Sequence, residues 1–294
     1  MNWMDLHIHT HYSTDGEFTP EYLMFHCAAY NMKAVAITDH NTVRGVAEAR
    51  RAAEAQELLF LSGIEIDCIN EGQNYHVLGY GIDENSPAFS ELEESILSQQ
   101  RAASESMIDR VAALGIPFDH DWVRQNAPLG VVTGELIAES ALEETNIPDV
   151  LRPYQYGGSR SNNPYVNFYW DFCAPGKPAY VPIHFPSLEM TVKLIHETGG
   201  AAVLAHPGAN VGFCNDAVES AVSHSIDGIE VYSSYHDERM RSFYHEFAKS
   251  HGLLMTVGSD YHGKTKPNIS IGGGICHGQG EMLYRLIERI TKYR

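Results

Sequence analysis

The feature that most constrains the fold of this chain is a regular alternation of short apolar runs with amphipathic stretches. The runs "KAVAITDH" and "LLFLSGIEID" are apolar almost throughout, and an Ala-rich amphipathic stretch separates them. Strands buried on both faces have this composition. The helices that cover such strands are amphipathic, and Thr19 as N-cap with Pro20 at the first helical position predicts the start of the first helix. With "AAVLAHP", "GIEVYSS" and "LLMTVGSDYH" near the C-terminus, the pattern predicts an α/β fold of parallel strands joined by helices.

The segment after Asp83 interrupts this alternation. Between about residues 87 and 177 the sequence has long helical stretches and turn clusters but no convincing apolar strand. We therefore expect residues 87–177 to form an inserted, mainly helical subdomain. Residues 1–86 and 178–294 are expected to form the main domain, in which "AYVPI" is the first strand after the insertion.

The composition limits the partners of the protein. The chain of 294 residues has 20 basic and 38 acidic residues, which gives a net charge of −18. This charge disfavours sequence-independent binding to nucleic acid or anionic membranes, and no apolar run is long enough to span a bilayer. The five cysteines are dispersed and odd in number, which fits a reducing compartment. We expect a cytoplasmic protein with no membrane association and no stable nucleic-acid binding, of unknown oligomeric state.

Residues that can bind metals follow the predicted strands, as in "MDLHIHTHYSTDGEF" at the end of the first one. A single histidine there is usually an ordinary hydrogen-bonded residue, but the C-terminal ends of strands in α/β folds meet at one rim. The nine candidates that would share this rim are His7, His9, Asp15, His40, Glu65, His76, His206, Asp260 and His262. One zinc ion takes about four or five ligands, so nine nitrogen and oxygen ligands predict two or three divalent ions. His11 lies where the first strand gives way to a loop and has no place in this set.

The elements "HIHTHYSTDG", "AITDHN", "GIEI", "AHP" and "GSDYH" resemble the motifs of the PHP (polymerase and histidinol phosphatase) family of metal-dependent phosphoesterases. The resemblance covers most of residues 4–83 and 179–275. It implies a distorted (β/α)7 TIM-like barrel whose C-terminal rim holds a trinuclear site of manganese, iron or zinc. It also implies that the insertion is the substrate lid found in a branch with nucleotide bisphosphatases and cyclic-phosphate phosphodiesterases.

The same resemblance implies a division of the ligands among three ions. The first ion would take His7, His9, Glu65 and Asp260; the second Glu65, His76 and His206; and the third Asp15, His40 and His262. Asp39 would stand outside these shells and orient a neighbouring ligand.

These residues predict a phosphoesterase that acts on small phosphorylated metabolites, chiefly nucleotide or ribose phosphates. A hydroxide that bridges two ions would attack phosphorus. Asp260 would be a catalytic ligand, and His236 would protonate the leaving group or contact the phosphate. Arg160 and Lys177 are the candidates for gripping a phosphate. Each of the last three has a structural alternative: His236 as an exposed neighbour of a helix N-cap, Arg160 as a brace of its loop, and Lys177 as a solvated turn residue.

Other functions remain open at this point. One is a phosphodiesterase on cyclic phosphates or short oligonucleotides, and another is carbon–nitrogen hydrolysis, against which the three-metal ligand count speaks. A non-catalytic metal-dependent module is disfavoured because all nine ligand positions are filled. The resemblance leads us to expect basic residues in the middle of the insertion, but "LGVVTGELIAESALEET" contains none, so the substrate is the least determined part of this prediction.

Overall fold

The computed structural model describes residues 3–273 and 276–293, which form two β-sheets covered by helices. In the first sheet the strand order is β1-β2-β3, and in the second it is β4-β5-β6-β7-β8. The strands are β1 (Met4–Ile8), β2 (Ala34–Ile37), β3 (Leu59–Leu61), β4 (Gly63–Asn70), β5 (Gln73–Tyr80), β6 (Ala201–Leu204), β7 (Gly228–Ser233) and β8 (Leu254–Gly258).

The helices follow the strands except in one long helical segment between β5 and β6. They are α1 (Pro20–Ala29), α2 (Val46–Ala55), α3 (Pro87–Ala113), α4 (His120–Asn126), α5 (Gly134–Leu142), α6 (Pro164–Phe168), α7 (Leu188–Glu197), α8 (Pro207–Asn210), α9 (Asn215–Ser223), α10 (Glu238–Ser250) and α11 (Gln279–Tyr293). Within the described ranges, every helix is too short or too polar to cross a membrane. The mixed α/β fold is therefore as the sequence predicts.

Backbone contacts join the two sheets at two places. At the end of β1 a parallel bridge pairs Ile8 with Tyr261, which follows β8, and beyond β2 another pairs His40 with Glu65 of β4. Gly63 allows the second junction, because a Cβ atom there would lie 2.6 Å from the carbonyl oxygen of Ile37. These junctions bring the ends of β1, β2 and β8 close to the first residues of β4.

The hydrophobic core has one cluster that unites both sheets. Buried side chains of β1, β2, β5, β6 and β8 meet there, and α11 contributes Leu286 and Ile290. Further clusters lie between the second sheet and helices α7, α9 and α10, and between the first sheet and helices α1 and α2. Strands β1, β2 and β6 are therefore buried on both faces, as an apolar composition predicts, whereas β3 is partly exposed.

Two details of the predicted strands are corrected by the structure. β4 and β5 form an antiparallel hairpin, and β5 is also antiparallel to β6. The cause is the two-residue turn of Glu71 and Gly72, whose φ angles of 49° and 81° suit a tight hairpin. The segment "AYVPI" forms no strand, because Pro182 and Pro186 lack the backbone N–H that a ladder requires.

Residues 87–177, all of them described, contain helices α3 to α6 and no strand. Their apolar side chains form a separate cluster, in which Ile108 of α3, Ile137 of α5 and Phe168 of α6 are fully buried. Tyr165 and Tyr169 pack against this cluster. Trp170, which is half-exposed, lies instead beside the cavity described below.

Candidate metal centre

The structure brings all nine predicted ligands together. They lie in three neighbouring groups, two of which share His40, and within each group the potential ligand atoms are all within 4.8 Å of one another. The groups are His7, Glu65, His206 and Asp260; His9, Asp15, His40 and His262; and His40, Asp67 and His76. Asp67 is the one member that the sequence analysis missed.

Two histidines and two carboxylates form the most buried part of the centre. The Nε2 atoms of His7 and His9 are 3.1 Å apart. Each of them lies 3.0 to 3.2 Å from Oε2 of Glu65 and Oδ1 of Asp260. All four side chains are almost completely buried. Four groups with lone pairs so close together and away from water are unfavourable unless a cation or protons bind to them.

Glu65 faces histidines with both of its carboxylate oxygens. Besides the contacts of Oε2, its Oε1 lies 2.9 Å from Nδ1 of His76 and 3.0 Å from Nε2 of His206. Nδ1 of His40 lies 3.4 Å from Oε2. A carboxylate placed in this way can bridge two ions.

Asp15 and Asp67 approach the remaining histidines. Oδ2 of Asp15 is 3.2 Å from Nε2 of His262, and Oδ1 of Asp67 is 3.1 Å from Nε2 of His76. Asp67 stands two residues after Glu65 on β4, so the two side chains share one face of the strand. That alternation in "GIEID" was the signal that could have identified Asp67.

The residues present fit divalent metal ions. Four buried atoms in these groups have no hydrogen-bond partner among the described residues: Asp15 Oδ1, His40 Nδ1, Asp260 Oδ1 and His262 Nε2. Buried polar atoms are normally paired, so orphaned ligand atoms at one place point to a missing partner. Donors that are all imidazole nitrogens and carboxylate oxygens suit manganese, iron and zinc.

Further side chains orient the ligands from behind. Glu230 lies 2.9 Å from Nδ1 of His7 with one oxygen and accepts from the backbone N–H of His206 with the other. Asp39 accepts from the hydroxyl of Ser13, whose Oγ lies 3.1 Å from Nδ1 of His9. Partners of this kind fix the ring orientation and tautomer of metal-binding histidines.

The charges of the centre depend on one another. Burial alone would lower the pKa of His40, but the carboxylates of Glu65, Asp67 and Asp15 together raise it to about 10. Burial and two neighbouring histidines lower the pKa of His9 to about 4. Burial opposes ionisation of Glu65, yet the histidines around it hold the pKa of its carboxyl well below its usual range. Protons therefore occupy part of the centre when ions do not.

Asp260 is also fixed from its outer side. The ammonium group of Lys266 lies 2.5 Å from its Oδ2, and the hydroxyl of Tyr235 donates to the same oxygen at 2.7 Å. Oδ1 is thereby directed towards the histidines. The sequence analysis did not identify Lys266 or Tyr235, because neither stands at a strand end beside another ligand.

A cavity of about 480 Å³ opens above these groups. Asp15, His40, Asp67, His76, His206 and Asp260 line one side of it. The segment 87–177 supplies further lining residues, which include Ile96, Met107, Val132, Glu135, Tyr169 and Trp170. A bound molecule would thus contact both the ligand groups and mostly apolar side chains of this segment.

His236 does not reach this cavity. The residue is buried, its Nδ1 lies 2.8 Å from the carbonyl oxygen of Val231, and its Nε2 accepts from the backbone N–H of Gly208. Both ring nitrogens are thus engaged by backbone groups. We therefore correct its predicted role from proton donor to positioning residue, since it fixes the turn that follows His206.

Arg160 and Lys177 also lie outside the residues that line the cavity. The guanidinium group of Arg160 donates to both carboxylate oxygens of Asp171, at 2.9 and 2.7 Å. This arrangement corresponds to the loop-bracing alternative rather than to a phosphate contact. Lys177 is exposed. His11 is exposed as well and belongs to none of the three groups.

Comparison with known proteins gives a consistent result. The PHP domain family model matches residues 5–138. The chain is 28% identical to the 5′-3′ exoribonuclease Rnm of Escherichia coli (strain K12) over 266 residues, which cover 88% of this chain and 84% of the relative.

Two other relatives act on small phosphate esters, according to their names. Phosphoribosyl 1,2-cyclic phosphate 1,2-diphosphodiesterase of Eggerthella lenta is 29% identical over 262 residues, with 88% of this chain and 94% of the relative covered. The 3′,5′-nucleoside bisphosphate phosphatase of Chromobacterium violaceum is 29% identical over 267 residues, with 88% and 87% covered.

Among solved structures, the chain is similar to an amidohydrolase from Chromobacterium violaceum that was determined with bound sulfate and no metal. The TM-score is 0.77 at 27% sequence identity, and the match covers 97% of this chain and 96% of that one. The predicted likeness in fold thus extends over nearly the whole chain, the insertion included.

Proposed function

We propose that this chain, whose residues 5–138 match the PHP domain model, is a metal-dependent phosphoesterase of the PHP family, and that its substrates are phosphate esters of small metabolites, chiefly nucleotide or ribose phosphates. The observation that carries this proposal is the group of nine histidines and carboxylates, with Asp67, beneath a cavity of about 480 Å³. A cavity of this size suits a molecule as large as a mononucleotide.

We infer that the two sheets together form the distorted (β/α)7 TIM-like barrel that the family resemblance implies. The two backbone junctions between the sheets and the core cluster shared by five strands support this inference. Residues 1–86 and 178–294 would form the barrel. Residues 87–177 would form the substrate lid, which is supported by their separate core and their place on the cavity wall.

The centre would hold two or three divalent ions of manganese, iron or zinc. The ligands would be His7, His9, Asp15, His40, Glu65, His76, His206, Asp260 and His262, to which the structure adds Asp67. When bound, such ions lower the pKa of coordinated water and stabilise negative charge on a phosphoryl group.

The side chains of the protein would position the metal ligands and exclude water from the cavity. Lys266 and Tyr235 hold Oδ2 of Asp260, so that Oδ1 stays directed into the centre. Glu230 contacts Nδ1 of His7 and Ser13 contacts Nδ1 of His9, so that both imidazole rings are fixed in orientation. The apolar wall around Ile96 would keep water away from the leaving group of the ester.

Two related activities have support from individual comparisons. The Eggerthella relative favours opening of cyclic phosphates, and the Escherichia relative favours short oligonucleotides. Carbon–nitrogen hydrolysis is favoured only by the description of the Chromobacterium structure as an amidohydrolase. We retain a small phosphorylated substrate as the leading proposal, together with a cytoplasmic location and no stable nucleic-acid binding at a net charge of −18.

The test is hydrolysis of a substrate panel by protein that has been stripped of metal and then loaded with Mn²⁺. The panel contains phosphomonoesters, cyclic phosphates, dinucleotides and simple amides, and the products are identified by phosphorus NMR and amine release. We expect phosphate release from nucleotide or ribose monoesters. Hydrolysis of amides without any action on phosphate esters would overturn the proposal.

A further inference from the structure

The third ligand group, which consists of His40, Asp67 and His76, is the one most open to the cavity. All three residues line the cavity, and their side chains are 17%, 18% and 25% exposed, in that order. The four residues of the first group are buried throughout. An ion at the third group would therefore be accessible to solvent and to a bound molecule, whereas an ion at the first group would have little contact with solvent.

Asp67, which the family resemblance does not include among the ligands, is directed at this group by Asn41. The side-chain amide of Asn41 donates to Oδ2 of Asp67 at 2.6 Å, and its carbonyl oxygen accepts from the backbone N–H of Asp67 at 3.0 Å. Oδ1 of Asp67 faces the histidines instead, at 3.1 Å from Nε2 of His76 and 3.5 Å from Nδ1 of His40. One carboxylate oxygen is thus held by the protein, and the other is available to a metal ion.

Asn41 is itself fixed, because the loop after β2 is attached to β4. Its backbone N–H donates to the carbonyl oxygen of Glu65 at 2.7 Å, and the N–H of Glu65 donates to the carbonyl oxygen of Asp39 at 3.1 Å. The φ angle of Asn41 is 57°, a left-handed conformation that asparagine tolerates better than most residues. Asn41 is also almost completely buried. The backbone therefore fixes the pair of Asn41 and Asp67, so that ion binding does not have to order it.

His40 belongs to two groups, but a neutral imidazole has only one nitrogen with a free lone pair. Nδ1 of His40 has no hydrogen-bond partner within the described part of the chain. The carboxylates of Glu65 and Asp67 approach this atom to 3.4 and 3.5 Å, whereas Nε2 of His40 lies 4.0 Å from Oδ2 of Asp15. These distances favour an ion on the Nδ1 side, where Asp67 is.

We propose that His40, Asp67 and His76 bind an ion of their own, that this ion is the most exchangeable one of the centre, and that its open positions receive a phosphate oxygen of the substrate. The statement about the substrate rests on the proposed phosphoesterase function. An ion with three protein ligands keeps positions open for water or substrate, and fewer ligands with more access to solvent give weaker binding. This assignment differs from the division that the family resemblance implies, in which His40 and His76 serve different ions.

The first test counts ions and measures their affinities without turnover. Metal-stripped protein is titrated with Mn²⁺ by calorimetry, and bound metal is counted after dialysis against fixed free Mn²⁺. We expect Asp67→Asn to lose the weakest of the bound ions and to keep the others with unchanged Kd. Glu93→Gln is the matched control with full metal content, because Glu93 also lines the cavity but is in none of the three groups of the described residues. A full complement of ions in Asp67→Asn would overturn the proposal, and so would loss of every ion from a folded variant.

Asn41→Gly tests the same site without a change to any ligand. Glycine adopts the left-handed conformation of this position and removes only the amide that holds Asp67. We expect this variant to weaken the binding of the weakest ion by about 10- to 100-fold and to leave the others unchanged. Unchanged affinities, or equal weakening of all ions, would contradict the proposal. This variant also decides the question if Asp67→Asn does not fold, which circular dichroism shows.

The last test connects this ion with the substrate, and inorganic phosphate is the probe. If phosphate binds to the ion, each must increase the affinity of the other. We expect phosphate to lower the Kd of the weakest Mn²⁺ by about tenfold in the wild-type protein and to have no effect on the ions that remain in Asp67→Asn. The same Mn²⁺ affinities with and without phosphate in the wild-type protein would overturn the assignment of the substrate to this ion. If no phosphate ester is hydrolysed, the proposed function fails, whereas the ion count still decides whether Asp67 binds metal.

Discussion

Glu65 is the residue on which the metal centre depends most, because its two carboxylate oxygens face five histidines. Oε2 lies near His7, His9 and His40, and Oε1 lies near His76 and His206. The side chain is fully buried, so no water replaces a lost contact. A change at this position therefore affects every part of the centre.

Glu65→Gln should remove at least one ion and lower kcat/KM by about 1,000-fold or more, since an amide cannot replace a bridging carboxylate. Metal analysis and steady-state kinetics measure the two effects, and circular dichroism checks the fold. Glu71→Gln, in the exposed hairpin turn that ends the same strand, is the control. Full metal content with wild-type kinetics in Glu65→Gln would show that the ions bind elsewhere.

Metal binding should release protons at neutral pH. In the metal-free protein the surrounding carboxylates raise the pKa of His40 to about 10, against the effect of burial, and raise the pKa of His7 in the same direction. Ions bind only the neutral imidazole, so affinity should increase with pH until these pKa values are passed. Calorimetry in buffers of different ionisation enthalpy counts the protons. We expect at least one proton per protein at pH of about 7, and binding without proton release would contradict these pKa shifts.

The positioning role of His236 gives a different expectation from a role in proton transfer. His236→Gln should lower metal content and reduce kcat/KM by about tenfold, because the backbone N–H of Gly208, two residues after His206, loses its imidazole acceptor. The shape of the pH profile of kcat should stay the same. Loss of the alkaline limb of that profile, with full metal content, would restore His236 as the proton donor.

Most of the ligands could be predicted from the sequence because they stand at or after a strand end, where local pattern and family resemblance agree. Glu65 and His76 lie instead within β4 and β5. Asp67 could also have been found, from its spacing to Glu65. Lys266, Tyr235 and Glu230 could not, since their roles depend on contacts between distant segments. Arg160 was misassigned because the sequence does not show that Asp171 lies within reach of its guanidinium group.

At the scale of helices and strands, the sequence predicted structure correctly where its local signals were strong. Thr19 caps α1 by accepting from the N–H of Tyr22, and Pro20 occupies the first turn, as predicted. The antiparallel hairpin was missed although Glu71 and Gly72 marked its turn, because apolar runs alone do not give strand direction. The segment "AYVPI", residues 179–183, was wrongly predicted as a strand because too little weight was given to Pro182.

The loop before α6 supplies a prediction at this scale. Arg160→Met should lower the free energy of unfolding by about 1 kcal/mol or less, as expected for a half-exposed ion pair, and should leave KM unchanged. Denaturant titration and steady-state kinetics are the measurements. Asp171→Asn should have the same effects, and Lys177→Ala should have neither. A tenfold increase in KM for Arg160→Met alone would instead support direct contact with phosphate.

At the scale of the whole molecule, the net charge of −18 bears on how the metal centre would bind a substrate. Acidic side chains line the cavity: Asp15 and Asp67 belong to the ligand groups, and Glu93 and Glu135 belong to the segment 87–177. A phosphate ester would enter such a site only after cations had changed its local sign. The metal centre would therefore be required for substrate binding as well as for catalysis.

The most direct test of this account is titration of the metal-stripped protein with Mn²⁺ while phosphate release from a nucleotide monoester is followed. We predict no release without metal, a rise that ends at two or three equivalents of bound Mn²⁺, and no rise in Asp260→Asn. Phosphate release by the metal-stripped protein, or by Asp260→Asn at the wild-type rate, would contradict the assignment of this centre.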